Sequence, residues 1–188
     1  MAYNTTTWET DSNTKASANT TNSKFHIYKS VHAQSILDSG TDAYFIAFHY
    51  ASLSNSTVPG VPANRYTWLT SGNLIKGYFI AEDWNPNDSS NTMQFKVYKL
   101  SPNTNGVDIA SVESYTLLET VTISNANLQA EGRGIIVDFT EATCAFSKGD
   151  IMAISYKNTV DVTNNSQDTT QFNFVLKEDW NDIISSNV

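Results

Sequence analysis

Beyond residue 25 the chain alternates. Between residues 92 and 100, Met93, Phe95 and Val97 share one parity while Gln94, Lys96 and Tyr98 share the other. A period of two sets one group of side chains on a core and the other toward water, which is the pattern of a strand. The period recurs at 151–156, where Ile151, Ala153 and Ser155 oppose Met152, Ile154 and Tyr156, and at 171–177 through Phe172, Phe174 and Leu176. Residues 25–30 open the series with Phe25, Ile27 and Lys29 against His26, Tyr28 and Ser30. Residues 43–50 are apolar on both parities, so that strand is expected to be covered on both sides.

Turn residues separate these runs. Pro59, Gly60 and Pro62 mark a loop at 51–64, Ser71-Gly72-Asn73 a turn, and Pro86 with its Asx neighbours another loop; 101–106 and Phe146-Ser147-Lys148-Gly149-Asp150 close later strands. Further strands are expected at 65–70, 74–81, 112–124 and 135–140. Residues 31–41 suit a short helix or an irregular crossover that Gly40 stops. Eight or nine short strands without alternating helices define an all-β chain, an antiparallel β-sandwich and specifically a jelly roll. An immunoglobulin-like sandwich is the lesser alternative, because Cys144 is the only cysteine and the two-cysteine hallmark is missing.

The residues before the alternation differ in kind. Residues 1–24 hold Thr, Asn and Ser in quantity, with Tyr3 and Trp8 as the only large aromatic side chains and no periodicity to build a core. This reads as an extended N-terminal arm, which could reach up to about 80 Å, ahead of a sandwich domain at 25–188. Tyr3 and Trp8 are the candidate anchors for a partner's pocket.

Charge narrows the partners. The net charge is −8, and the 11 basic residues are scattered singly, so neither nucleic acid nor an anionic membrane is an expected partner. No apolar run approaches the roughly 20 residues that span a bilayer, and Met1 is not followed by a basic-then-apolar leader; the expectation is a chain made and kept soluble, without classical export.

Catalytic and metal chemistry find little purchase. His26, His32 and His49 sit in no recognisable motif with a nucleophile, and Cys144 reads as a small buried hydrophobe. One cysteine and three dispersed histidines cannot assemble a zinc site. Asp83, Asn85 and Asn87 begin like a calcium loop, but Asp88 and Gln94 stand where Gly and Glu are needed. A second Asx cluster at Asp161, Asn164, Asn165 and Asp168 reads the same way. No cofactor is expected, and no enzyme activity.

The segment Glu-Asp-Trp-Asn occurs twice, at 82–85 and 178–181, each time after an apolar strand. Glu82, Asp83, Glu178 and Asp179 are the carboxylates to test for glycosidase-type pairing, with solvated corner positions as the simpler expectation. Tyr66, Trp68, Trp84 and Trp180 are candidates for a glycan-binding or interface surface, since aromatic faces stack on sugar rings and are enriched at interfaces.

Three stretches carry a resemblance: the turn and strand at 72–80, the run Phe95-Lys96-Val97-Tyr98-Lys99, and Phe146-Ser147-Lys148-Gly149-Asp150 leading into alternating apolar residues. Across roughly 44–177 the chain resembles small jelly-roll virion structural proteins of tailed, marine-type bacteriophages. The resemblance implies a homotrimeric subunit, displayed on a capsid or built into a fibre or baseplate, bound to other virion proteins and carrying no catalytic residues. Such a protein is assembled in the host cytoplasm and resides in the virion, with its arm as an attachment strap. No collagen-like or coiled-coil stalk is present, which favours a decoration, cement or adaptor protein over a long fibre. The alternative function is a glycan- or receptor-binding module that uses the loop aromatics.

Overall fold

A computed structural model describes residues 23–33, 44–46, 48, 64–81, 92–101, 111–124, 134–158 and 169–179. Ten strands lie in them: β1 (Ser23–Ala33), β2 (Tyr44–Phe45), β3 (Tyr66–Thr67), β4 (Gly72–Ala81), β5 (Thr92–Leu100), β6 (Thr116–Ser124), β7 (Gly134–Asp138), β8 (Ala145–Phe146), β9 (Ile151–Asn158) and β10 (Thr169–Asp179). They form two antiparallel sheets. Sheet A runs β1-β10-β4-β7 with β8 beside β4, and sheet B runs β2-β9-β5-β6 with β3 beside β9.

The topology follows one rule once the two-residue strands β3 and β8 are set aside. The outermost strands pair, β1 with β10, then β2 with β9, β4 with β7, and innermost β5 with β6. This is a long antiparallel hairpin rolled over on itself, so that β10 also meets β4 and β9 also meets β5. Such a roll is a jelly roll, and the strand order excludes the immunoglobulin alternative.

Aromatic side chains from both sheets fill the space between them. Phe172 of β10 lies 4.7 Å from Phe79, 5.8 Å from Phe95 and 5.2 Å from Tyr156, centroid to centroid. Leu74, Met93, Val97, Met152 and Ile154 complete the fully buried centre. Each such side chain contributes roughly 1.5–3 kcal/mol by leaving water. Met93, Phe95 and Val97 are the parity that the alternation at 92–100 assigns to the core.

Part of the outer face of sheet B is covered as well. Tyr115 and Val112 pack with Phe45, Tyr98, Leu100, Ile151 and Ala153 in a second apolar cluster. Phe45 belongs to this cluster and its neighbour Ile46 to the central core, so at these two residues the chain is covered on both sides, as the double apolar parity of 43–50 leads one to expect. Tyr98 departs from expectation: it lies 5.6 Å from the Phe45 ring and is half-buried instead of facing water.

Other boundaries also need correction. Residues 31–33 continue β1, and Gly72-Asn73 are the first residues of β4 and not a turn, pairing with Glu178 and Lys177 on one side and with β8 on the other. The segment 112–124 divides into a 3-10 turn at Val112–Ser114, where the Ser111 hydroxyl accepts a 3.3 Å hydrogen bond from the Glu113 N–H, and the strand β6. Within β6 the register shifts, so that Val97 opposes Glu119 while Tyr98 opposes Leu117. Leu118 is the extra residue of a bulge and packs on the core, leaving Leu117 exposed.

Candidate functional site

Of the aromatics proposed for a binding surface, the structure corrects two. Trp68 is wholly buried and Tyr66 nearly so. Trp68 stacks on Phe146 at 4.9 Å and takes Tyr66 edge-on at 5.5 Å. Its backbone is fixed on both sides, since its N–H donates to the Asp150 carbonyl at 2.9 Å and its carbonyl accepts from the Gly149 N–H at 2.8 Å. Gly72 makes room for the indole: a Cβ there would stand 2.6 Å from Trp68 Cζ3 and 2.3 Å from the Lys177 carbonyl oxygen. Both aromatics are wedges between the sheets, out of reach of a ligand at the surface.

The second Glu-Asp-Trp-Asn segment is recruited to the same wedge. Glu178 is buried, and its Oε1 accepts a 2.9 Å hydrogen bond from the Tyr66 hydroxyl. This corrects the expectation of a solvated corner carboxylate and engages Glu178 in holding the fold. The Asp179 N–H donates to the Ser71 carbonyl at 2.7 Å. Glu82, Asp83, Trp84, Trp180, Tyr3, Trp8, His49 and both Asx-rich calcium candidates lie outside the described residues. Within them, no group of three or more His, Cys, Asp or Glu side chains is placed to hold a metal ion.

The motif at 146–150 resolves into a locked turn. The Asp150 N–H donates to the Ser147 carbonyl at 3.0 Å, and Gly149, the third residue of the turn, takes a positive φ of 90° that glycine adopts without strain. The Asp150 carboxylate accepts from the Ser147 N–H at 2.8 Å and from the Ser101 hydroxyl at 2.6 Å, with Lys99 Nζ 3.6 Å away. Lys99 also donates to the Ala145 carbonyl at 3.1 Å and lies 5.9 Å from the Phe146 ring centre. Lys99 and Asp150 thus tie β5 to the β8–β9 turn.

A second corner escaped the sequence reading. Glu119 Oε2 accepts from the Thr140 N–H at 2.8 Å and from Cys144 Sγ at 3.1 Å, while Oε1 accepts from the Thr140 hydroxyl at 2.8 Å. Burial opposes ionisation of Glu119, yet the bonds from Thr140 and Cys144 outweigh it and hold the carboxyl below its ordinary pKa. Burial pushes the Cys144 thiol well up, and the adjacent Glu119 carboxylate adds to the rise. Cys144 is therefore a hydrogen-bond donor in a corner and not a nucleophile.

Near this corner is a crevice of about 290 Å³ lined by Ser71, Gly72, Asn73, Ala145, Phe146, Lys177 and Asp179. Its polar groups are already engaged within the chain: Lys177 Nζ pairs with Glu141 Oε1 at 2.5 Å, and Asn73 Nδ2 donates to the Glu141 carbonyl at 2.8 Å.

The outer face of sheet A is different. Tyr78 of β4 and Ile136 of β7 stand directly opposite each other and are both exposed. The sequence carries a signal for this inside the strands expected at 74–81 and 135–140. Lys76 and Asp138 lie two residues from Tyr78 and Ile136, and a charged residue fixes its own parity as the outward one.

These residues define an antiparallel jelly-roll sandwich whose described buried carboxylates and thiol hold its corners, with an uncovered apolar pair on one sheet face. The sequence matches no described protein family and no curated protein. Among solved structures the chain is similar to the VP2 subviral particle of infectious bursal disease virus, with 7% identity and a TM-score of 0.42 over 85% of this chain and 34% of that one. It is similar also to the Gx strain of the same virus, with 8% identity and a TM-score of 0.40 over 84% and 33% of the two chains. A third likeness is to mud crab dicistrovirus, with 12% identity and a TM-score of 0.27 over 82% and 68%. The chain spans about a third of the length of the bursal disease virus chains. The jelly-roll assignment itself rests on the strand pairing.

Proposed function

We propose that the chain is a non-enzymatic structural subunit of a virion, a decoration, cement or adaptor protein of a tailed phage that is attached to other virion proteins through its N-terminal arm. The observation that supports the reading is the rolled pairing of eight strands around a closed aromatic core, an architecture that recurs in viral capsid and lectin domains. Burial of Tyr66 and Trp68 removes two of the four aromatics on which a glycan-binding role would depend, which weighs for the structural role over the lectin-like one. Engagement of Glu178 by Tyr66 weighs against paired-carboxylate chemistry at that segment.

The test is particle association. Because Ser23 and Lys24, the last two residues assigned to the arm from sequence, already belong to β1, the arm is tested by deleting residues 1–22. Full-length and truncated chains are each supplied to particles assembled without the protein, and quantitative mass spectrometry measures the copies retained per particle. The full chain is expected on particles and the truncated chain in the supernatant. Absence of the full chain from particles would overturn the virion reading, and retention of the truncated one would overturn the role of the arm.

A further inference from the structure

The chain covers part of one outer face of the sandwich itself. On sheet B the chain folds Val112 and Tyr115 back over Phe45 and Leu100. On sheet A, among the described residues, Tyr78 and Ile136 remain 40% and 55% exposed. They are adjacent across β4 and β7, and the next pair on the same face is Lys76 with Asp138. That ion pair spans 2.6 Å, with side chains 49% and 70% exposed. The face therefore presents a two-by-two block of an apolar pair beside a cation and an anion. Asn173, opposite Tyr78, and Val175, opposite Lys76, continue it across β10.

Two properties of the block identify an occupant. The chain carries a net charge of −8, so copies repel over most of their surface, but here the charges cancel locally. The block is also complementary to itself. A two-fold axis parallel to the strands, between β4 and β7, sets Tyr78 of one copy over Ile136 of the other and Lys76 of each over Asp138 of its mate. That exchange is what an isologous contact requires.

We propose that this face of sheet A docks a second copy of the same chain about such an axis. The contact extends past the block onto β10, because a stable interface buries about 800 Å² per partner. It does not depend on the virion reading, and it is tested on the purified chain. A threefold assembly would use other surfaces.

The experiment is light scattering of the full chain over a concentration series. The expected result is a mass rising to twice the monomer or a multiple of that. Ile136→Glu should weaken association about tenfold or more, with an unchanged melting temperature at a dilution where the wild-type chain is also monomeric. Lys76→Glu and Asp138→Lys should each weaken it alone, whereas an equimolar mixture of the two variants should recover a one-to-one complex. Within each variant the residues facing each other across β4 and β7 carry like charges, so recovery on mixing can arise only between copies. A wild-type chain that stays monomeric throughout, association indifferent to Ile136→Glu, or a mixture that does not recover would overturn the proposal.

Discussion

The Tyr66 hydroxyl donates a 2.9 Å hydrogen bond to Glu178 Oε1, joining β3 of one sheet to β10 of the other in the buried interior. Tyr66→Phe deletes the donor and little else. Removing one partner of a buried hydrogen bond costs about 1–3 kcal/mol, and a loss of that size is expected in urea unfolding with an unchanged m-value. A loss below about 0.5 kcal/mol would show that the tie is dispensable.

Two glycines should resist substitution for different reasons, the crowded one more strongly. At Gly72 a Cβ would collide with the Lys177 carbonyl oxygen and Trp68, whereas at Gly149 it would meet nothing within 4 Å but would sit on a backbone at φ +90°. Gly149→Ala should cost about 1–2 kcal/mol of conformational strain. Gly72→Ala should cost more, roughly 3 kcal/mol, since backbone must move. Denaturation midpoints of the two variants, side by side, check the order.

Glu119 gives the fold an acid limb. Its folded pKa lies below the value of an unfolded glutamate, about 4.3, because its bonds to Thr140 and Cys144 outweigh the burial that opposes its charge. The folded state therefore binds this proton less readily than the unfolded state. The stabilisation is complete above the unfolded pKa and is lost as pH falls through the folded one. Glu119→Gln should flatten the decline of melting temperature below about pH 4, and an unchanged decline would assign it to other carboxylates.

Cys144 should be slow to label. Its thiol is buried, donates to Glu119 and is raised far from the thiolate range. At pH 8 a disulfide reagent should react with the native protein at least about tenfold more slowly than with the protein in urea, since only the thiolate attacks. Equal rates would mean that the corner opens freely. Glu119→Gln should lower the thiol pKa by removing the neighbouring charge.

Much of the sandwich was legible because alternation survives wherever one face is buried and the other wet. Thr92–Leu100 is read to the residue. Where it failed, a local signal lost to a distant one. Ser71-Gly72-Asn73 has turn composition, but Gly72 is required inside β4 by the passage of Trp68 and Lys177. Tyr66 and Trp68 share a parity with Thr70, all three buried, while Thr67 and Leu69 are exposed; an apolar Leu69 on the wet parity disguised the pattern. The bulge at Leu118 and the acceptance of Cys144 by Glu119 depend on which strand lies across the sandwich, and no window of neighbouring residues contains that information.

The nested pairing also sets an order in time. Lys99 meets Thr116 across the innermost pair, whereas Ser23 meets Asp179 across the outermost. Contacts between near neighbours close cheaply and contacts between the ends close late. On a ribosome the inner hairpin can form while the rest is still being made, but β1, the earliest of the described strands, must wait for β10. Throughout that interval β1 is an open edge with unpaired amides, and among these strands it is the one most vulnerable to mispairing.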